Sequence, residues 1–500
     1  MVNFAKSYKD SRVGQIGEKP NSITKGLGER NTPPTSSLYC ICSFPNLILK
    51  HNGNSHTSAI HLIHQTLIKK ERCLPMKLFF IVIDGMGDLP IKELGNKTPL
   101  EFAETPHMDS LAKKGKTGLM YTVGKGIAPE SDVAVISILG YDPLIYHTGR
   151  GIFEAIGTGL SVKNGDLALR CNFATVDTKK RIIDRRVGRD LTAEEAKQLS
   201  NTINERVHLD SYPADFQFTN TLGHRGVLVI YPKKGSLSGK ITNTDPAYSR
   251  FEGISVAETK VKMVAKKSEP TDATEEARIS AKLVNEFTQK SQKILENHVI
   301  NIKRASEGKL KANIILTRDA GDTMPKLFSI NEKYSVNFAC LADMPIERGI
   351  AKLAGMHVVD LPPPSKDLKE DCLLRVEKLL AIQSYFDCFY IHLKGPDEPG
   401  HDGKFNVKAQ LIATIDEHFL GELLPKINLE DSIICVTADH STPCKLKAHS
   451  DNPVPLLISG NDIKGDRVQG FSENECRKGS LDVLAHGTEL MPKLMTFLKR

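Results

Sequence analysis

The run Ile433-Ile434-Cys435-Val436-Thr437 is apolar and β-branched, and it stops abruptly at Ala438-Asp439-His440-Ser441-Thr442-Pro443. A continuous apolar run of this length, ended by a turn, is the pattern of a strand buried in a parallel sheet. In open α/β sheets the chemistry sits just beyond the carboxyl ends of such strands. Asp439 and His440 fall there, a hard and a borderline metal ligand side by side.

The same pattern recurs. Leu78-Phe79-Phe80-Ile81-Val82-Ile83 ends in Asp84-Gly85, and Cys388-Phe389-Tyr390-Ile391-His392-Leu393 runs into a Gly/Pro loop carrying Asp397 and His401. Asp-Gly after a strand is most often a plain turn, but its repetition at several strand ends raises the odds of a ligand. His449 precedes what reads as a final strand from Val454. Pro129-Glu130-Ser131-Asp132, followed by an apolar run and Gly140, reads as a helix start and stop. The Ser131 hydroxyl then stands at the positive helix end, where negative charge is stabilised. A serine there is also commonly just a cap.

Five hundred residues exceed one core, so two or more domains are expected. The net charge of +7 is unevenly spread. Residues 1–75 hold ten Lys/Arg against four acids, which leaves 57 basic and 56 acidic residues in the rest. A near-neutral body argues against nucleic-acid binding. No apolar run reaches the ~18 residues of a membrane span. The ten cysteines show no paired zinc spacing, and several sit in apolar runs, which fits a reducing, cytoplasmic setting. Residues 1–75, rich in Ser, Asn, Gly, Lys and Pro, are expected to be a disordered extension, with organelle targeting as the lesser alternative.

The fold expected from Met76 onward is α/β, a mostly parallel sheet flanked by helices, with an inserted α+β domain. Residues 76–151 and 311–500 form the first part and 152–310 the insertion. Tyr146–Gly159 is glycine-rich and suits a hinge, with Arg150 as an anion ligand. The insertion carries Arg170, Asn172, Arg185, Arg186, Arg189, His224 and Arg225, residues that would suit an anionic substrate.

Three aspartates and three histidines at one sheet edge suffice for two divalent ions with mixed oxygen and nitrogen ligation, favouring Mn, Zn, Co or Mg. Two such ions can clamp a phosphoryl group and activate a coordinated serine. Asp84-Gly85-Met86-Gly87-Asp88, the Ser131 motif, Asp397-x-x-x-His401, Thr437-Ala438-Asp439-His440 and His449-Ser450-Asp451-Asn452-Pro453 together resemble the alkaline phosphatase superfamily. Gly149-Arg150-Gly151-Ile152-Phe153-Glu154-Ala155, Arg170-Cys171-Asn172 and Leu393-Lys394-Gly395-Pro396-Asp397 narrow the resemblance to the cofactor-independent phosphoglycerate mutases of archaeal type, over residues 76–500. The resemblance implies one metal held by Asp84, Ser131, Asp439 and His440, and another by Asp397, His401 and His449. It implies Ser131 as nucleophile, Arg150, Arg170, Arg186, Arg189 and His224 as candidates for gripping phosphoglycerate, and no bisphosphoglycerate or nucleotide. A hydrolase or a kinase-like enzyme of the same superfamily are the alternatives.

Overall fold

The computed structural model describes residues 76–251, 254–257, 262–460 and 462–498, all within one unit of the chain, Pro75–Arg500. The expectations for residues 1–75 lie outside the described residues.

Eight strands form the main sheet, in the order His357–Val358 (β11), Phe338–Leu341 (β10), Cys388–Leu393 (β12), Lys77–Ile83 (β1), Ser432–Thr437 (β13), Val454–Gly460 (β14), Lys116–Met120 (β2) and Val483–Leu484 (β15). From β11 to β13 every neighbour is parallel. β14 runs antiparallel to both β13 and β2, and β15 returns parallel to β2. The sheet is therefore mostly parallel, as its apolar runs required. β14 is not the last strand, because the two-residue β15 is too short to carry a period in sequence.

The register decides where the polar ends emerge. Val82 pairs with Thr437 and Ile83 with Leu393, so Asp84, Lys394 and Asp439 leave the sheet side by side. Leu78 to Ile83 and Ile433 to Val436 are fully buried. Burial on this scale, at about 25 cal/mol per Å² of apolar surface, anchors the strand ends that carry the polar groups.

A second, antiparallel sheet contains Ile182–Asp184 (β4), Leu167–Val176 (β3), Arg225–Pro232 (β6) and Ala214–Asn220 (β5), with Ile314–Gly321 (β9) also on β3. Tyr248–Phe251 (β7) and Ile254–Ala257 (β8) pair separately. Helices Ala193–Arg206 and Glu275–Glu296 bury Leu199, Ile203, Leu283, Val284 and Phe287 in the core of this second sheet.

Two expected boundaries move. The second sheet does not close at 310, because β9 pairs with β3 along residues 314–321. A fully buried strand reads alike in either sheet, so composition could not assign it. Nor does a boundary fall at 151/152, because helix Arg150–Gly157 runs across it. Tyr146–Gly159 is thus largely helical rather than a loop. Its glycines serve close packing: a Cβ at Gly157 would lie 1.8 Å from the Pro345 carbonyl oxygen, and one at Gly349 would lie 1.8 Å from that of Phe153. The helix lies directly on Pro345–Leu353 there.

Candidate active site

Helix Ser131–Ile138 is buried from Asp132 to Ile138, apolar all round as a core helix must be. Its N-cap is Glu130, which makes no side-chain cap. Ser131 is the first helical residue and does not cap. Its hydroxyl is instead 3.2 Å from His440 Nε2.

His440 Nε2 is the point on which several groups converge. It lies 3.4 Å from Asp84 Oδ1 and 3.3 Å from Asp439 Oδ2. Both of those oxygens are buried with no hydrogen-bond partner among the described residues. Asp439 Oδ1, by contrast, accepts from the backbone N–H of Gly85 and of His440, each at 3.0 Å. Gly85 is in the left-handed region, with φ 62°, and a Cβ there would meet Asp397 at under 3 Å, so the turn after β1 admits only glycine.

The second group lies against the first. Asp397 Oδ1 is 3.5 Å from both His401 Nε2 and His449 Nε2. The His449 ring stacks on that of His440, with centroids 3.7 Å apart. His449 Nδ1 donates to the Pro129 carbonyl at 2.8 Å, so its Nε2 faces Asp397.

Donor separations of 3.2–3.5 Å are long for hydrogen bonds. They match the spacing of roughly 3.0–3.4 Å between ligands that each sit about 2.1 Å from one divalent ion. The donor atoms of Asp397, His440 and His449 all lie within 4.8 Å of one another. With two orphaned carboxylate oxygens and carboxylate-imidazole chemistry, the residues present fit divalent cations. His440 belongs to both clusters by distance, so the geometry alone does not divide the ligands into two sets.

Charge at the site is consistent with this. Burial, then the Asp439 and Asp397 charges, push the Asp84 carboxyl well above its ordinary range, against Lys394. Burial acts in the same sense on Asp397, but the His449 hydrogen bond and the imidazoles of His440 and His401 hold it well below. Burial would lower His449, yet Asp397 and Glu130 push it up to about 10. A cation binding there displaces that proton.

Three residues beside the site, one half-buried and two fully buried, carry no role in the sequence analysis. Lys394 Nζ bridges Asp84 Oδ2 at 3.0 Å and Glu347 Oε1 at 2.7 Å. His392 Nε2 lies 3.4 Å from the same ammonium and 3.8 Å from Asp439 Oδ2, and its ligand atom lies within 4.8 Å of those of Asp84 and Asp439. Its other nitrogen meets the Tyr390 hydroxyl at 2.8 Å. The signal available was His392 and Lys394 as polar interruptions of an apolar strand end. Thr442, fully buried, donates from Oγ1 to Asp397 Oδ1 at 2.7 Å and lies 3.0 Å from His440 Nδ1.

The arginines split into two kinds. Arg170 on β3 and Arg318 on β9 are buried, and Arg170 Nε with Arg318 Nε and Nη1 lack hydrogen-bond partners among the described residues. Arg318 lies 3.7 Å over the Tyr248 ring. Burial, then Arg150 and Arg318, bring Arg170 down to about 9. Burial and the arginines at 225, 186, 170 and 189 bring His224 down to about 3. Burial and Arg189 lower Arg186. Together these form a pool of positive charge, in which Arg318 has Asp319 Oδ2 at 3.7 Å, and Glu130, next to Ser131, is near enough to act on Arg318, Tyr248 and His449 alike. Arg150 and Arg189 are each ion-paired. Arg150 is taken up by Glu154 at 2.8 Å and by Asp132 and Glu130 at 3.5 and 3.6 Å. Arg189 pairs with Glu398 at 2.6 Å and Asp402 at 3.6 Å. Arg318 belongs to the pool, and no sequence motif singled it out.

A mostly parallel sheet that gathers carboxylates, imidazoles and a helix-start serine at its carboxyl edge defines an α/β enzyme with its chemistry at the strand ends. A family model described as 2,3-bisphosphoglycerate-independent phosphoglycerate mutase matches residues 112–301. A protein of that name from Aeropyrum pernix is 42% identical over 430 residues, covering 85% of this chain and 100% of its own. The chain belongs to the 2,3-bisphosphoglycerate-independent phosphoglycerate mutase family. Among solved structures, the PH0037 protein from Pyrococcus horikoshii aligns at 31% identity and a TM-score of 0.68, over 85% of this chain and 97% of that one. A cofactor-independent phosphoglycerate mutase from Thermoplasma acidophilum aligns at 29% and 0.55, over 85% and 100%. The hydrolase and kinase-like alternatives are not favoured by these relatives. No described helix is long and apolar enough to cross a membrane.

Proposed function

We propose that this chain interconverts 3-phosphoglycerate and 2-phosphoglycerate through a phosphoserine at Ser131, without bisphosphoglycerate. The observation that carries the mechanism is the convergence of Ser131 Oγ and the orphaned oxygens of Asp84 and Asp439 on His440 Nε2. Asp84, Ser131, Asp439 and His440 would hold one divalent ion, and Asp397, His401 and His449 the other, Mn, Zn, Co or Mg. Bound there, the ions would supply Lewis-acid charge favouring ionisation of the serine hydroxyl and neutralising the phosphoryl oxygens.

Ser131 Oγ attacks phosphorus, the bond from phosphorus to the C3 oxygen breaks, and that oxygen takes up a proton. Glycerate stays bound and turns. Its C2 hydroxyl gives up a proton and attacks the phosphoserine, and the bond to Oγ breaks. The unpaired first-turn N–H groups of the Ser131 helix favour the charge developing at Oγ. Arg170, Arg186, Arg318 and His224 hold the carboxylate and phosphate, for which partnerless guanidinium N–H groups are suited. Arg150 and Arg189 tie the protein together instead: Arg150 aligns the Ser131 helix through Asp132, and Arg189 joins the second-sheet region to helix Asp397–Asp402. We assign the region between helix Arg150–Gly157 and β9 to substrate holding. Water must be excluded while the phosphoserine exists, or it hydrolyses.

Substrate labelled at phosphorus is to be mixed with enzyme and quenched rapidly. Label on Ser131, equilibration of the two isomers without primer, and little free phosphate are expected. Label elsewhere refutes the nucleophile, and stoichiometric phosphate release refutes the mutase.

A further inference from the structure

The Thr442 hydroxyl has one hydrogen and two neighbours that constrain it. Asp397 Oδ1, 2.7 Å away, is a carboxylate oxygen and accepts. The hydroxyl hydrogen therefore goes to Asp397. What remains toward His440 Nδ1, at 3.0 Å, is a lone pair, so Nδ1 must carry the ring proton. A neutral imidazole protonated at Nδ1 has a bare Nε2, and Nε2 is the atom facing Ser131, Asp84 and Asp439.

Nothing about this hydroxyl is adaptable. The Thr442 backbone N–H donates to the Gly87 carbonyl at 3.0 Å. Its carbonyl accepts from Lys408 Nζ at 2.9 Å, and the same fully buried ammonium also binds the Gly87 carbonyl and Asp88. A Cβ at Gly400 would lie 2.5 Å from the Thr442 carbonyl oxygen and 2.9 Å from its Cγ2, so helix Asp397–Asp402 presses on it from the other side. The side chain is held between the loops that follow β1, β12 and β13.

We propose that Thr442 is a positioning residue that couples the two halves of this site: its hydroxyl accepts from His440 Nδ1 and donates to Asp397 Oδ1, holding the imidazole with Nε2 bare and aimed at Ser131. It deepens the reading of the site given above, and rests on His440 and Asp397 serving the two metal positions. A metal-bound histidine generally donates its other ring N–H to a fixed partner, and loss of such a partner costs about 10–100-fold in metal affinity or activity. Here the partner of one ligand is also the hydrogen-bond donor to a ligand of the other position, so one hydroxyl sets both.

The test uses the full chain and two variants. Thr442→Val keeps the branched shape and removes the hydroxyl, and Thr442→Ser keeps the hydroxyl. Metal-free protein is titrated with Mn²⁺ against a chelator, and turnover is measured separately. Expected for Thr442→Val is a loss of about 10–100-fold in Mn²⁺ affinity, a fall in kcat with KM for phosphoglycerate unchanged, and partial rescue by excess Mn²⁺. Thr442→Ser restores both. A Thr442→Val protein that binds Mn²⁺ and turns over like wild type overturns the proposal. Should that variant not fold, wild-type protein labelled with ¹⁵N at histidine decides alone. In the metal-free state the signals that vanish in His440→Gln must show the proton on Nδ1, and a proton on Nε2 overturns the proposal. Failure of the mutase reading is separate: it shows as an active Ser131→Ala, or as phosphate release without isomerisation, and leaves the affinity and tautomer results to be judged by themselves.

Discussion

Replacing Arg170 by Met should weaken substrate binding and, at the same time, stabilise the substrate-free protein. Arg170 is buried on β3, its Nε lacks a hydrogen-bond partner among the described residues, and its nearest carboxylate oxygen, on Glu154, is 3.5 Å away. Burial and the like charges of Arg150 and Arg318 bring it down to about 9. That displacement corresponds to roughly 5 kcal/mol against the charged form, at about 1.36 kcal/mol per pH unit. A guanidinium keeps its proton in proteins, so the cost is carried as desolvation and repulsion. Methionine fills much of the same space without either. Exchange of a buried ion for an apolar residue is typically neutral to stabilising by about 1–4 kcal/mol. The Arg170→Met variant should fall in that range, read as a rise in Tm by dye-monitored melting or in the urea midpoint. An anionic substrate reverses the balance, since loss of a buried charge-assisted contact typically costs about 2–5 kcal/mol. That is a drop in kcat/KM of roughly 30-fold to several thousand-fold, seen mainly in KM. Phosphoglycerate should then raise the Tm of wild type much more than that of Arg170→Met. A variant destabilised by about 2 kcal/mol or more, with KM intact, would show that Arg170 holds the sheet together and that the positive pool does not receive the substrate.

Ser131→Ala should fold and melt within about 1 kcal/mol of wild type, because Ser131 makes no cap, and should have no measurable mutase activity; residual activity above trace contamination excludes it as nucleophile. Chelation should abolish activity and a divalent transition metal should restore it, with elemental analysis following the metal; full activity in verified metal-free protein refutes the metal assignment. Arg189→Ala removes an exposed pair with Glu398 and should change stability by under about 1 kcal/mol, while raising KM if the link to helix Asp397–Asp402 matters for holding substrate; an unchanged KM removes Arg189 from the mechanism. Burial pushes Glu473 up to about 7, against hydrogen bonds from Thr98 and the Asp88 N–H. Raised in the folded state, its contribution is full below the ordinary glutamate range and is lost as pH rises to about 7. Wild type should therefore lose about 3 kcal/mol relative to Glu473→Gln between about pH 4.5 and 7, and equal differences at about pH 5 and pH 8 in urea melts would contradict it.

What is legible in the sequence follows from how each feature is encoded. β1, β12 and β13 are written as unbroken apolar runs with a polar stop, because burial on both faces leaves no alternation to obscure them. Asp84, Asp397, Asp439 and His440 can be found because they are those stops. The sequence pattern puts β9 in the wrong sheet, since Ile314–Leu316 looks the same whichever strand it pairs with, and only the ladder to β3 decides. Arg150 and Arg318 are hard to tell apart in sequence for a related reason: an arginine's type shows its charge, but its surroundings depend on how many carboxylates reach it. Arg150 has three within 3.6 Å, whereas Arg318 has one, Asp319 at 3.7 Å, with a tyrosine face and two nitrogens that lack hydrogen-bond partners among the described residues. Thr442 is the extreme case. A threonine two residues after a histidine is ordinary in any chain, and its meaning arises only because helix Asp397–Asp402 brings a charged acceptor to 2.7 Å from its hydroxyl. Once that contact exists, one hydrogen has one place to go, and the protonation of His440 and the direction of its free nitrogen toward Ser131 follow from it.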